Sequence, residues 1–270
     1  MKVSAKLYLK GMIKVIRSLY TAVSGMIAME NKQNTVVNNM ANANTTGFKA
    51  DSLITKSFNE VLLQNKEKLQ GKTHVAQDLG KVSLGVAMDG ISTDFSSGDL
   101  KQTQNETDFA LNGRGFFAVR TADGVKYTRD GQFRVNNEGN LINNNGDLVL
   151  GMDNRTNTLE PIHIGNSAFV LDNNNNIVIN GVATQRLAIA DFEDYTKLSK
   201  VGNNYYQNEN PVYINNASVR QGYLETSNVN VMTAMTDMIS VMRSFETNQK
   251  FVSMLDDTLN KAANQIGKVQ

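Results

Sequence analysis

The sequence contains no cysteine and no tryptophan, and it has only two prolines and two histidines among 270 residues. Without cysteine the chain can form neither disulfides nor thiolate metal sites, and it has no thiol nucleophile. His74 and His163 are too few for a metal site built from several histidines. Pro161 and Pro211 are too few for a proline-rich linker that would divide the chain.

Charge and long apolar runs are also scarce. A formal net charge of +1 gives no electrostatic reason to expect a nucleic-acid partner. No window approaches the roughly 18 apolar residues of a membrane span, and the first apolar run, Leu7-Tyr8-Leu9, is too short for a signal-peptide core. We therefore expect no membrane span. Residues 1–11 form an uncertain leader, because Met12 is a second possible start.

Two long amphipathic segments occupy the ends of the chain. From about Ile16 to Met40 and from about Val231 to Ile266, apolar residues recur at alternating steps of three and four, as in a coiled-coil seam. This predicts terminal helices that pack on each other and on further copies of similar subunits, although a globular helix with one buried face has the same spacing. The predicted assembly seam consists of Ile16, Leu19, Val23, Met26, Val37, Met40, Met235, Met238, Met242, Phe245, Val252 and Leu259.

Turn and cap signals flank these segments. Gly47 is expected to close the first helix in a left-handed conformation, and Ser227, Asn228 or Asn230 to cap the second. Between them, short apolar runs alternate with Asp-Gly and Asn-Gly pairs, which are typical of tight hairpins. The polar stretch 49–81 is expected to be a loop, or a short helix followed by an adaptable arm.

These patterns predict an α+β fold, in which long N- and C-terminal helices pack as a coiled-coil-like pair beside a central, mainly antiparallel all-β body. We expect five segments. They are the leader at 1–11, an N-terminal helix of an axial core at 12–47, an extended arm or loop at 48–81, a central β domain at 82–224 and a C-terminal helix of the axial core at 225–270.

Sequence motifs for chemistry are weak. Gly113-Arg114-Gly115-Phe116-Phe117-Ala118 fits a dinucleotide-binding pattern, but the residues after it predict a strand and a hairpin, whereas a pyrophosphate site needs a helix to begin there. The run from Asp172 to Ala183 lacks the glycine and the glutamate of a calcium loop. No pair among the 26 acidic residues is marked as catalytic. We expect no enzymatic activity, no cofactor and no metal.

Four segments, taken in order, resemble the bacterial flagellar rod and hook proteins. Asn42-Ala43-Asn44-Thr45-Thr46-Gly47-Phe48-Lys49 resembles the N-terminal signature of that family. Leu111-Asn112-Gly113-Arg114-Gly115-Phe116-Phe117 and Tyr127-Thr128-Arg129-Asp130-Gly131-Gln132-Phe133 are similar to its central motifs. Gly222-Tyr223-Leu224-Glu225-Thr226-Ser227-Asn228-Val229 resembles its C-terminal signature. The length is that of rod subunits, of either the distal or the proximal type.

The resemblance implies a structural subunit of the basal-body rod. Such a subunit would self-assemble with copies of itself and with other rod and hook subunits into a helical tube that transmits torque from motor to hook. It would be exported by the type III export apparatus without a cleaved signal peptide. The alternative from another class is an extracellular β-rich enzyme or adhesin with helical oligomerisation ends.

Overall fold

The computed structural model describes residues 2–68, 74–165, 167–202, 204–215 and 217–266. Within these residues, helix α1 (Lys2–Ala41) and helix α2 (Val231–Ile266) stand at the two ends of the sequence, with 21 strands and one short 3-10 helix, Tyr195–Lys197, between them along the chain. The predicted α+β class is therefore confirmed, and α2 coincides with the periodic stretch from Val231 to Ile266, inside the predicted segment 225–270. The strands are β1 Asp51–Ser57, β2 Val61–Lys68, β3 His74–Val82, β4 Val86–Thr93, β5 Leu100–Gln102, β6 Phe109–Asn112, β7 Phe116–Thr121, β8 Gly124–Thr128, β9 Phe133–Val135, β10 Leu141–Asn143, β11 Leu148–Asp153, β12 Leu159–Pro161, β13 Phe169–Leu171, β14 Asn176–Ile179, β15 Val182–Leu187, β16 Ile189–Asp191, β17 Ser199–Lys200, β18 Tyr205–Gln207, β19 Val212–Tyr213, β20 Ser218–Gln221 and β21 Tyr223–Glu225.

The chain forms two compact units. The first contains Met1–Asn38, Asp51–Ser92 and Met232–Gln270, and the second contains Asn39–Ala50 and Thr93–Val231. Both helices therefore belong mainly to the first unit. Neither helix, over its described residues, has the length and apolar character needed to cross a membrane.

The segment after α1 consists of strands. Strand β1 pairs with β4, and β2 pairs with β3. No helix occurs in the described part of 49–81, so the alternative of a short helix is wrong. The connection before β4 lies against α1, because Thr21 Oγ1 donates to Leu84 O at 3.0 Å and Val86 N donates to Ser24 Oγ at 3.3 Å.

The first helix ends earlier than the glycine signal predicted. Helix α1 ends at Ala41, where the amides of Asn42 and Ala43 bond three residues back, to Asn39 and Met40. Gly47 does have a positive φ of 63°, but it lies in a turn six residues further on. Its conformation therefore does not close the helix, and the prediction of its role was wrong.

A 13-stranded sheet dominates the second unit. Its main path runs β13-β14-β15-β11-β7-β8-β18-β17, and all of its pairings are antiparallel. Two clusters of buried apolar side chains flank β7, one containing Phe117 and the other Phe116. Asn180 and Gly181, with φ of 50° and 81°, form the two-residue turn of the β14–β15 hairpin that this residue pair favours.

The last strands of the chain close the second unit by pairing with early ones. Strand β20 pairs with β6, and β21 pairs with β5. At the end of the large sheet, the Gln221 side chain bonds the outer side of β13. Its Oε1 accepts from Leu171 N at 2.9 Å, and its Nε2 donates to Phe169 O at 3.2 Å. One side chain thus satisfies backbone groups that an edge strand would otherwise leave open.

Candidate assembly surfaces

One row of side chains on α1 is covered within the subunit, and a second row is open. The covered row repeats at steps of three and four, as coiled-coil packing requires. The open row begins one residue later and contains large apolar side chains, of which Tyr20 is 69% exposed and Ile27 is 54% exposed. The covered row consists of Leu19, Ala22, Met26, Met29, Gln33, Val36 and Met40, and the open apolar residues are Tyr20, Val23, Ile27 and Val37. Ala28 is also buried but lies outside both rows.

Helix α2 has the same two-sided arrangement. Its covered row again alternates steps of three and four, whereas Met232, the most exposed large apolar residue of α2, is 72% exposed. Four of the open residues follow one another at steps of three, four and three. The covered residues are Ala234, Met238, Val241, Phe245, Asn248, Val252, Leu255 and Leu259, and the open row consists of Met232, Met235, Ile239 and Met242.

The predicted seam residues therefore belong to different faces. Ile16 belongs to α1, but its side chain lies outside the described residues. Their contact with neighbouring subunits stays a prediction. On the covered rows lie Leu19, Met26, Met40, Met238, Phe245, Val252 and Leu259, and on the open rows lie Val23, Val37, Met235 and Met242.

The two helices approach each other at a glycine. A Cβ atom added to Gly25 would lie 3.4 Å from Asn248 Nδ2 and 3.9 Å from Asn248 Cγ. A Cβ there would already be in ordinary contact with the Asn248 carboxamide, so a longer side chain at position 25 would have to displace it. Asn248 belongs to the covered row of α2, so this row faces α1 at this point.

The strands of the first unit and the connection after β1 add further exposed apolar residues. Ile54 in β1 and Met88 and Ile91 in β4 are each about half exposed, and so is Phe58 between β1 and β2. A two-stranded ribbon is marginally stable alone. The ribbon of β1 and β4 thus carries large apolar side chains that the subunit leaves partly open.

In the second unit, three of the resemblance segments meet at one carboxylate. Glu225 Oε1 lies 2.5 Å from Lys49 Nζ, and Glu225 Oε2 lies 3.3 Å from Arg129 Nη1. Gly98 N also donates to Glu225 Oε1, at 3.0 Å. The side chains of Lys49 and Glu225 are fully buried, and that of Arg129 is 1% exposed. We call Lys49, Arg129 and Glu225 the ion triad.

Burial controls the electrostatics around the triad. Removal from water lowers the pKa of Lys49, and the hydrogen bond to Glu225 opposes that shift. Burial also raises the pKa of Asp130, against the effect of the hydrogen bonds that its carboxylate accepts from Thr46 and Gln132. The triad itself contains two cations and one carboxylate. Such an arrangement depends on every hydrogen bond being retained.

Backbone contacts bring the same segments close together. Gly47 N donates to Glu225 O at 2.8 Å, and Thr46 Oγ1 donates to Asp130 Oδ1 at 2.5 Å. A side chain at Gly47 would overlap the backbone of Arg129 and Asp130. Gly47 is therefore required both by its positive φ and by this close approach.

Asn228 joins the C-terminal signature to two other segments. Its Oδ1 accepts from Ala50 N at 2.8 Å, and its Nδ2 donates to Asp94 O at 2.9 Å and to Ser96 O at 3.3 Å. The side chain is thus engaged away from α2, and its predicted capping role is wrong. The other motif residues of this region have local roles, since Ser227 Oγ accepts from Val229 N and Asn42 Oδ1 accepts from Thr45 Oγ1, while Asn44 is exposed.

The central motifs build the core beside the triad. Phe116, Phe117 and Tyr127 are buried, and the Arg129 guanidinium lies 5.2 Å from the centroid of the Phe116 ring. Gly131 has an ordinary φ. It is required instead because a side chain there would overlap Phe109 O.

The glycine pattern at residues 113–118 lies between two strands. Gly113 and Gly115, with φ of 117° and 115°, connect β6 to β7, and β7 forms the predicted hairpin with β8. No helix begins there to present its amides to a pyrophosphate. Among the described residues, no group of three or more histidines, cysteines or acids could hold a metal ion.

Sequence reasoning missed the residues that complete the cluster. Ser96 O accepts from Lys49 Nζ at 2.7 Å, and Asn204 Nδ2 donates to Thr46 O at 3.0 Å. Lys200 Nζ lies 4.0 Å from the centroid of the Phe48 ring and donates to Lys49 O at 3.2 Å. No spacing in the sequence relates these residues to position 49.

Comparison with protein-family models places all three matching regions in the flagellar axial proteins. Residues 19–49 match the model described as flagella basal body rod protein, and residues 110–189 match the D1 domain of the flagellar hook proteins FlgE/F/G. Residues 220–266 match the C-terminal region of the flagellar basal body rod FlgEFG proteins. These matched regions contain all three members of the ion triad.

Similar proteins align over almost the whole chain. The flagellar hook-basal body complex protein FlhO of Bacillus subtilis is 35% identical, over 94% of this chain and 100% of that protein. The flagellar basal-body rod protein FlgF of Caulobacter vibrioides is 31% identical over 93% of this chain and 98% of its own length. The flagellar basal-body rod protein FlgG of Buchnera aphidicola subsp. Schizaphis graminum is 30% identical over 92% of this chain and 98% of its own length.

Proposed function

The chain belongs to the flagellar basal-body rod protein family, and from this premise we propose that its terminal helices polymerise it into a helical, tubular drive shaft that transmits torque from motor to hook. The protein is a structural component of the flagellar basal body and not an enzyme. The alternative of an extracellular enzyme or adhesin is not supported, because the similar proteins are flagellar structural components. The observation that carries the proposal is the open apolar row on each terminal helix.

The covered rows support a coiled-coil-like pair of α1 and α2. Each row alternates steps of three and four, and the contact of Gly25 with Asn248 lies between them. In the division of labour that we propose, segments 12–47 and 225–270, which contain most of α1 and all of α2, form the axial core, 48–81 forms an arm and 82–224 forms the outer β domain.

The open rows supply the contacts between subunits. Burying one such side chain completely contributes roughly 1.5–3 kcal/mol, so several together give a strong association. A contact that repeats head to tail without closing a ring produces an open helical filament. The partners are further copies of this chain and other rod and hook subunits. Delivery by the type III export apparatus, without a cleaved signal, completes the proposal.

Val37→Asp tests this function. Val37 is 42% exposed in the lone subunit, so a carboxylate there leaves the subunit's own packing intact. In the assembly the same carboxylate would be buried without a partner, which costs several kcal/mol. We expect the variant to fold but to be absent from purified basal bodies, and the cells to be non-motile.

Lys32→Asp is the matched control. Lys32 is exposed on α1 and points about 140° away from Val37 around the helix. It changes the charge by more than Val37→Asp does, yet it should leave rod assembly and swimming unchanged. Basal bodies that contain Val37→Asp at the normal amount would refute the open row as an assembly surface.

A further inference from the structure

Helix α2 carries a polar side chain in the middle of its covered row. Asn248 lies between Phe245 and Val252, and its carboxamide is in van der Waals range of a Cβ built on Gly25. Glycine is unfavourable inside a helix, and asparagine is unfavourable in an apolar seam. Two unfavourable residues placed against each other suggest a role in specifying the packing.

The chain connections determine the relative direction of the helices. Gly47 N bonds Glu225 O, and each of these residues lies six positions along the chain from the nearer helix end, Ala41 or Val231. Parallel helices crossing at Gly25 and Asn248 would separate those two ends by about 50 Å. Twelve extended residues span only about 40 Å. The helices therefore run antiparallel.

In this direction the covered rows match residue by residue. With Gly25 opposite Asn248, the spacing would place Ala22 opposite Val252, Met29 opposite Phe245 and Val36 opposite Met238. Each seven-residue step forward along α1 corresponds to a seven-residue step back along α2. All six of these row residues are partly or fully covered.

We propose that Asn248, seated against Gly25, fixes the register of the antiparallel pair. The rest of the two rows is mostly Ala, Val, Leu, Met and Phe, so sliding by one heptad would exchange one apolar contact for another. Such a slip, of about 10.5 Å, would place the carboxamide against a residue that has a side chain. This inference rests on the proposed helix pair.

The register decides what a neighbouring subunit meets. The open rows of α1 and α2 lie beside the covered rows, so their relative height is set by the same pairing. A slipped pair would displace Val23 and Ile27 relative to Met235 and Ile239. Copies that pair in different registers would present different surfaces, and a regular filament could not accept both.

Cysteine cross-linking tests the register, since the natural chain has no cysteine. Ala22→Cys with Val252→Cys reports the proposed register, and Met29→Cys with Val252→Cys reports a slip of one heptad. Both pairs are introduced into the full-length chain, and basal bodies are purified and oxidised. A disulfide requires Cα atoms within about 7 Å, so a pair one heptad out of register cannot form it.

We expect the first pair to cross-link at least about tenfold more than the second, because a single polar residue in a seam can specify the register. In the Asn248→Leu background the second pair should gain cross-links. Asn248→Ala, which removes the carboxamide without adding bulk, should have the same effect if Asn248→Leu does not assemble. Gln249→Leu, an exposed neighbour given the same substitution, should retain the original ratio.

Equal cross-linking of the two pairs with Asn248 present would overturn the register. An unchanged ratio in both Asn248 variants would overturn the role of Asn248. Either result is distinct from a failure of the proposed function. If the proposed function itself were wrong, the tagged natural chain would be missing from purified basal bodies.

Discussion

The ion triad places two buried cations on one carboxylate, so its three members should respond differently to substitution. Glu225→Gln removes the carboxylate that Lys49 and Arg129 share and should lower the free energy of unfolding by about 3–5 kcal/mol. Lys49→Met leaves Arg129 and Glu225 as a pair of opposite charges, so it should lower the free energy of unfolding by distinctly less. Urea denaturation of the full-length chain measures both. Equal losses in the two variants would contradict the charge argument.

Asp130 should give the second unit a specific pH dependence. Its pKa is raised chiefly by burial, so the folded state takes up a proton before the unfolded chain does. The resulting stabilisation is complete below the ordinary aspartate pKa and is lost as the pH rises through the raised value.

Asp130→Asn can still accept the bonds from Thr46 and Gln132, but it cannot titrate. Compared with this variant, the natural chain should become relatively more stable as the pH falls from 7 towards about 4. Denaturation curves of both proteins over this range provide the measurement. A constant difference between them would show that burial of Asp130 does not matter.

At the scale of residues, the sequence identified the members of the triad but not their partnership. Lys49, Arg129 and Glu225 were noted because their segments resemble a known family. Their mutual contact joins positions 49 and 225, and no local pattern encodes such a pairing. Ser96 and Asn204 contribute through a backbone oxygen and a side-chain amide, which any turn could supply.

At the scale of elements, periodicity located the helices but did not separate each predicted seam into its covered and its open column. The bounds of α2 followed directly from the repeat. One column in each helix, such as Leu19 and Met26 in α1, lies on the covered face. The other column is offset by one residue and lies on the open face. Because apolar residues line both faces, spacing alone cannot tell which face has a partner within the subunit. The strands of the arm were missed, since their polar composition resembles a loop.

The open apolar rows also predict how the helices behave before assembly. An isolated amphipathic helix is marginal in water, and each of these helices has only part of its apolar surface covered. In a soluble monomer we expect fast amide exchange in 16–40 and 231–266 and slow exchange in the strands of the large sheet. Slow exchange throughout both helices would refute assembly-linked folding.

For the molecule as a whole, the end of the chain completes the second unit. Strands β20 and β21 pair with β6 and β5, and β21 brings Glu225 to the triad. A chain truncated after Val231 retains every strand of that unit and should show a cooperative thermal transition. A chain truncated after Ala217 lacks both strands and should lose it. Identical transitions would mean that the unit closes without its final strands.

The bonds of the Gln221 side chain affect how further subunits can add to an assembly of this protein. An edge strand with unpaired backbone groups can pair with strands of other molecules. At high local concentration such pairing leads to amyloid-like aggregation. Here the side chain of Gln221 bonds the backbone groups on the outer side of β13 and keeps them from pairing with another strand. Addition of a further strand at that edge is thereby blocked, which on our proposal leaves the contacts between subunits to the open rows of the helices.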